Sequence, residues 1–273
     1  MQLQVLGCSG AIAQGVYTSS FLIDAAIALD AGTGLGQLTL AQMLQLDHIF
    51  ITHTHLDHIA ALPLLLDSVM SIRTQTARPP VQVYALPETL YALRKHIFNR
   101  IIWPDFTALP SRDKPVLNFV PVRLGQVVTF DGLPHQVQVL PAQHTVAAAA
   151  YAVRPAAHAP ALVYTGDTGP NPLLWQNLAQ LDVAGLIIEA AFSNQESGLA
   201  RAALHLCPNS LLGELRNIPA NSHYPIYITH TKPAQAQQIQ AEVKALLQQD
   251  AQLTNLLSQH PLHWLQCGQT IRI

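Results

Sequence analysis

The sequence predicts an α/β fold in one domain. Short β-branched runs alternate with segments of helical periodicity along the chain. Of 273 residues, 49% are hydrophobic and 11% charged, enough apolar material for a substantial core. No stretch is long or biased enough to be a linker. The reading is therefore one domain over residues 1–273, with a helical and loop insertion at about 67–121.

The strand-like runs are LQVLG, SSFLID, AIALDAG, HIFITH, VQVYAL, VVTF, VQVLPAQH, ALVYTGD, GLIIEAAF and PIYITH. Helical periodicity is clearest in LTLAQMLQL, PETLYALRKHIF and PAQAQQIQAEVKALLQQ. In the last of these, Pro233 is expected in the first helical turn, where its missing N–H costs nothing. Turn residues mark Thr74–Pro80 and Phe106–Pro115 as loops.

Composition narrows the function. The net charge is -2 with 14 Lys and Arg, and the densest basic stretch, Arg94, Lys95 and Arg100, is interleaved with apolar residues. A polymer held by its phosphates calls for a basic surplus or stripe, so a small substrate is favoured over nucleic acid. Cys8, Cys207 and Cys267 lie far apart without a CxxC pair, which predicts neither a disulfide framework nor a thiolate zinc site. The opening MQLQVLGCSG reads as a strand entering a glycine turn, with no basic segment ahead of an apolar run. AALPLLLDSVM is far shorter than the roughly 20 residues of a membrane span. A cytoplasmic location is the expectation.

Thirteen histidines nearly match the Lys and Arg total. Three fall with an aspartate in the six residues His53-Thr54-His55-Leu56-Asp57-His58, between a strand and a helix. Side chains two apart on extended backbone point the same way, so His53 and His55 can reach one metal. Asp57 and His58, in the turn into the helix, can face a second. Imidazole and carboxylate suit zinc, manganese or iron. Four donors do not complete two metal sites. Three more apolar runs end in ligand-type residues: VQVLPAQ at His144, ALVYTG at Asp167 and PIYIT at His230. ITHTH (51–55) and ITHTK (228–232) also echo one another, as two related halves of a duplicated fold would. The glycines of GCSG and DAGTG match neither a dinucleotide fingerprint nor a P-loop.

The set HxHxDH, His144, Asp167 and His230 resembles the metallo-β-lactamase superfamily. That resemblance implies an αββα sandwich, two mixed β-sheets flanked by helices, with the echo marking its two halves. It implies that His53, His55 and His144 hold one divalent metal, that Asp57, His58 and His230 hold a second, and that Asp167 bridges them. HTHLDHIAALPLLLDS, the IFN-x-x-IWP pattern at Phe98–Pro104, GLIIEAAFSN, HLCPNSLLGEL and ITHTKP further resemble class II cyclic-nucleotide phosphodiesterases. The likeness runs from Gly7 to Pro233. It departs at Cys207, where Ser or Thr is expected, and at the small residues after Glu189.

The resemblance implies hydrolysis of a 3',5'-cyclic nucleotide, cyclic AMP or cyclic GMP, to a 5'-nucleotide by a metal-bridging hydroxide. The cofactors would be two divalent ions, zinc first, with manganese or iron as alternatives. Asp57, Glu189 and His205 are the catalytic candidates, the last two as a proton-delivering pair. Phe98, Asn99, Trp103 and Lys232 are candidate substrate contacts, since aromatic faces stack on bases and a lysine can meet a phosphate oxygen. A homodimer is expected by analogy. The alternative is a ribonuclease Z-like nuclease or another ester hydrolase on the same fold. The nuclease should carry a Gly, Pro and Lys-rich arm, which this sequence lacks.

Overall fold

The computed structural model describes residues 1–219 and 221–273. In chain order the strands are β1 (Gln2–Gly7), β2 (Ser20–Ile23), β3 (Ile27–Leu29), β4 (His48–Phe50), β5 (Val81–Ala85), β6 (Pro110–Ser111), β7 (Lys114–Pro115) and β8 (Leu117–Pro121). They continue as β9 (Val127–Phe130), β10 (Leu133–Pro141), β11 (Ala149–Arg154), β12 (Ala161–Tyr164), β13 (Val183–Glu189), β14 (Ile226–Thr229), β15 (Leu262–Trp264) and β16 (Thr270–Arg272). The chain falls into two compact units. The first comprises Met1–Cys8, Gln14–Arg123 and Gln266–Arg272, and the second Ser9–Ala13, Leu124–Leu265 and Ile273.

Each unit holds a seven-stranded mixed sheet. The order is β16-β1-β2-β3-β4-β5-β8 in the first and β9-β10-β11-β12-β13-β14-β15 in the second. Read in those directions, both begin with three antiparallel pairings and end with three parallel ones. The two halves thus repeat one architecture, but the ITHT echo does not mark it. ITHTH follows β4, fifth in its sheet, whereas ITHTK starts on the last two residues of β14, sixth in the other.

Helices cover one face of each sheet. In the first unit Leu62, Leu65, Leu66 and Val69 of helix Leu62–Gln75 pack with Ile49, Val81 and Val83 of the strands. In the second, Trp175, Leu211, Leu215, Ile239 and Val243 pack with Val163, Leu186 and Ile226. β2, β3, β12 and β14 are buried at every position, which is why they read as continuous apolar runs rather than alternating ones.

Some expectations are corrected. The segment 67–121 is not a helical and loop excursion alone, because it supplies β5 and β8 to the sheet. VQVYA is buried at four of five positions, and that burial outweighs the helical and loop signals around it. Pro233 lies in a turn ahead of helix Ala236–Gln248 rather than in its first turn. PETLYALRKHIF forms a helix at Pro87–Ala92 that widens into a π-turn over Leu93–Ile97.

Arg73 fastens the helix that follows the histidine motif. It is 2% exposed, and its guanidinium donates to Asp47 Oδ1 at 2.6 Å and to the carbonyls of Leu44 and Pro79 at 3.0 and 2.6 Å. Asp47 directly precedes β4, so the contact sets the helix against the strand that carries the motif. Replacing Arg73 with Leu strands these acceptors. A loss of about 2–3 kcal/mol in urea unfolding is expected, the scale of hydrogen bonds to charged groups.

Candidate functional site

In the first unit the motif lies between the end of β4 and the short helix Leu56–Ile59. His53 and His58 are fully buried, and Asp57 keeps 25% of its side chain exposed. The rings of His53 and His55 have centroids 4.7 Å apart, and those of His53 and His58 4.2 Å apart. Asp57 Oδ2 lies 3.6 Å from His58 Nε2. The four ligand-type residues of the motif are thus gathered together.

Asp30, at the end of β3, orders that cluster, and the sequence reading passed over it. It is fully buried. Its carboxylate accepts from Thr52 N at 2.7 Å, from Thr52 Oγ1 at 2.9 Å and from His58 Nδ1 at 2.7 Å. Thr52 Oγ1 in turn lies 3.0 Å from His53 Nδ1. With its proton held on Nδ1, His58 presents the lone pair of Nε2, the arrangement found behind metal-bound imidazoles. The DAGTG run was legible only as a turn. Its Gly32 is required by close approach, because a Cβ there would stand 2.2 Å from the Asp57 carbonyl oxygen.

In the second unit Asp167 is the hub. Its Oδ1 lies 3.2 Å from His230 Nε2, and its Oδ2 lies 4.0 Å from His144 Nε2 and 3.9 Å from His205 Nε2. Asp167 and His230 are each 2% exposed. His144 Nδ1 donates to the Leu204 carbonyl at 3.1 Å, which leaves its Nε2 facing the carboxylate. His230 has φ 62°, a left-handed backbone that histidine tolerates better than most residues. Gly10 is fitted against it, since a Cβ there would meet the imidazole at 2.6 Å.

Glu189 and His205 are brought together as expected. His205 Nδ1 donates to Glu189 Oε1 at 2.7 Å. Glu189 is fully buried and also accepts from the amides of Thr168, Ala191 and Leu206. Burial opposes a charge on His205, but the charge and hydrogen bond of Glu189, helped by Asp167, hold its pKa above the usual value. Lys232 sits with Nζ 3.7 Å from the centroid of Phe192, whose ring lies 5.5 Å from that of His205.

In the aromatic segment the expectation for Phe98 is corrected. Phe98 is 2% exposed and packs with Phe106 and Phe119 in the first unit's core, so it offers no face to a base. Asn99 is spent on its own loop, accepting from the amides of Ile101 and Ile102 and donating to the Lys95 carbonyl. Trp103 is partly buried against the same core. The departure at Cys207 is a helix cap. Its Sγ lies 3.5 Å from Ser210 Oγ at the start of helix Pro208–Leu215, the place a Ser or Thr would occupy.

His53, His55, Asp57, His58, His144, Asp167 and His230 each offer a donor to groups that could hold a metal ion. Imidazole nitrogens backed by a carboxylate or a carbonyl, together with carboxylate oxygens, make a donor set that fits zinc or a similar divalent ion. If Asp30 orients His58 for such an ion, Asp30→Asn should lower metal affinity about 10–100-fold while the far-ultraviolet circular dichroism stays unchanged. Titration against a chromogenic chelator measures this, and unchanged affinity would remove Asp30 from the site.

The sequence profile described as beta-lactamase superfamily domain matches residues 21–246. The chain is 38% identical over 90 residues to 3',5'-cyclic-nucleotide phosphodiesterase 1 of Saccharomyces cerevisiae, a match covering 32% of this chain and 24% of that protein. It is 26% identical over 222 residues to a probable 3',5'-cyclic-nucleotide phosphodiesterase of Yersinia pestis, covering 73% of this chain and 62% of that one. The chain thus spans less than two thirds of the length of either relative. Among solved structures it is similar to unliganded yeast PDE1, with TM-score 0.79 and 20% identity over 100% of this chain and 99% of that one. It is also similar to YhfI of Bacillus subtilis, a metallo-beta-lactamase fold protein, with TM-score 0.73 and 17% identity over 99% and 98% of the two chains. These likenesses show the fold, two mixed sheets flanked by helices. With more than half of its length matched by the family's profile, the chain belongs to the beta-lactamase superfamily domain family.

Proposed function

We propose that the protein hydrolyses 3',5'-cyclic nucleotides to 5'-nucleotides with the help of two divalent metal ions, zinc in the first instance. The observation that carries this reading is Asp167, one buried carboxylate faced by Nε2 of His144, His205 and His230. The substrate class is supported by the names of the relatives from yeast and Yersinia pestis. His53, His55 and His144 would hold one ion and Asp57, His58 and His230 the other, with Asp167 shared. When bound, such ions lower the pKa of water and offset phosphate charge.

The protein's own groups divide the remaining work. Asp57, the motif's one carboxylate and 25% exposed, takes the proton of the attacking water as oxygen joins phosphorus. The bond from phosphorus to the 3'-oxygen breaks, and His205 delivers a proton from Nε2 to that oxygen. Glu189 holds the Nδ1 proton and keeps the ring turned. Lys232, propped on Phe192 beside His205, offers its charge to a phosphate oxygen.

The test is a hydrolysis panel with metal-loaded protein: cyclic AMP, cyclic GMP, bis(p-nitrophenyl) phosphate, a pre-tRNA and a lactone. Turnover of a cyclic nucleotide is expected. Cleavage of bis(p-nitrophenyl) phosphate without either cyclic nucleotide would sink the substrate assignment and leave a hydrolase. His205→Ala should lower turnover by about 10²–10⁴-fold, the usual worth of a positioned general acid, with metal content retained. Unchanged turnover at full metal occupancy would eliminate the role of His205.

A further inference from the structure

Cys8 and Cys267 are 259 positions apart in the chain, yet their Sγ atoms lie 3.9 Å from each other within the first unit. Cys8 closes the loop end of β1 and is 8% exposed. Cys267 precedes β16, is partly exposed, and lines an open cavity with Gln4, Tyr17 and Thr270. Both are thiols. The separation is about 2 Å longer than a disulfide's, a closure that side-chain rotation and a small backbone adjustment can make.

We propose that Cys8 and Cys267 form a modification site, a dithiol that a peroxide oxidises to an intramolecular disulfide. The Cys267 thiolate attacks one oxygen of hydrogen peroxide, the O–O bond breaks, and the sulfenic acid forms with release of hydroxide. The Cys8 sulfur then attacks that sulfenic sulfur, the S–O bond breaks, and water leaves. In sum two thiols lose two electrons and two protons, and one peroxide becomes two waters. The division of labour follows from the environment. The hydrogen bond from Cys8 pushes the Cys267 thiol down to about 6, against the opposing effect of burial. The Cys8 thiol is pushed up by the same contact and by burial. The partly exposed sulfur is thus the nucleophile, and the buried one keeps its proton until the second step. Cys8 also leads directly into Ser9 and Gly10. Ser9 Oγ donates to the Thr231 carbonyl at 2.8 Å, and Gly10 lies on the His230 ring.

The experiment exposes the reduced full-length protein to hydrogen peroxide, then denatures it, alkylates remaining thiols and maps the peptides without reductant. The expected result is a linked Cys8–Cys267 peptide pair that has lost two hydrogen masses, restored by dithiothreitol, with Cys207 still alkylated. In Cys267→Ser, Cys8 should remain alkylated after the same exposure. Advance of Cys267 to sulfinic acid with Cys8 still alkylated would overturn the proposal, as would oxidation of Cys8 in the variant. No readout depends on phosphodiesterase activity or on metal.

Discussion

The Asp30 carboxylate joins the elements that carry the histidine motif. It stands at the end of β3 and reaches Thr52, two residues beyond the neighbouring strand β4, through both its amide and its hydroxyl. It then reaches across the turn to His58. A buried carboxylate is tolerable only with such partners, so burying Asp30 obliges the turn to close in one way. The chain takes a left-handed conformation at Asp30, with φ 58°, to aim the group inward. The backbone is committed as well: Ala31 N donates to the His58 carbonyl at 2.7 Å and Ala61 N to the Ala31 carbonyl at 2.9 Å. The two fully buried imidazoles of the motif inherit their orientation from this one anion.

The parallel half of each sheet explains why donors collect where they do. Parallel neighbours present their carboxyl ends on the same side, which is where open α/β sheets place their ligands. In the first unit β3 and β4 lead into Asp30 and the histidine motif. In the second, β12, β13 and β14 lead into Asp167, Glu189 and His230. Asp30 and Asp167 therefore follow equivalent strands, each fourth in its sheet, one anchoring a histidine and the other facing three. His144 is the exception, since it follows an antiparallel strand and reaches Asp167 through the loop after β10.

Much of this was legible in the sequence because strand ends leave a local signature. An apolar run stopping at a histidine or aspartate can be read without knowing its neighbours, and seven donors were found that way. Asp30 had the same signature in IALD, but its partners are 22 and 28 residues away, and the adjacent glycines made a turn the simpler reading. β11 was missed because AAYAVR is rich in alanine, a poor strand former by propensity. Five of its six positions are nonetheless buried, and a fully covered strand depends on fit more than on propensity. Phe98 misled for the converse reason, since an aromatic ring signals packing as readily as stacking. The proximity of Cys8 and Cys267 had no local signal at all.

In the second unit, the histidine proposed as proton carrier and the one proposed as metal ligand differ in the atom behind each ring. His144 and His205 turn Nε2 toward the same oxygen of Asp167 from nearly equal distances. Behind His144 stands a neutral carbonyl, that of Leu204. Behind His205 stands the buried carboxylate of Glu189. A carbonyl fixes the tautomer without favouring a second proton, and a neutral imidazole is what a metal requires. A carboxylate favours the doubly protonated ring, and a ring that holds a second proton can release one to a leaving oxygen. One turn supplies both the carbonyl behind His144 and the ring of His205, for Leu204 and His205 are consecutive. Leu204 adopts φ 51°, a left-handed conformation that costs a leucine about 1–3 kcal/mol and persists only where its surroundings enforce it. With that twist, one residue points its carbonyl at the proposed ligand while the next points its ring at the same carboxylate. The strain thus sits in the turn on which the two proposed roles depend.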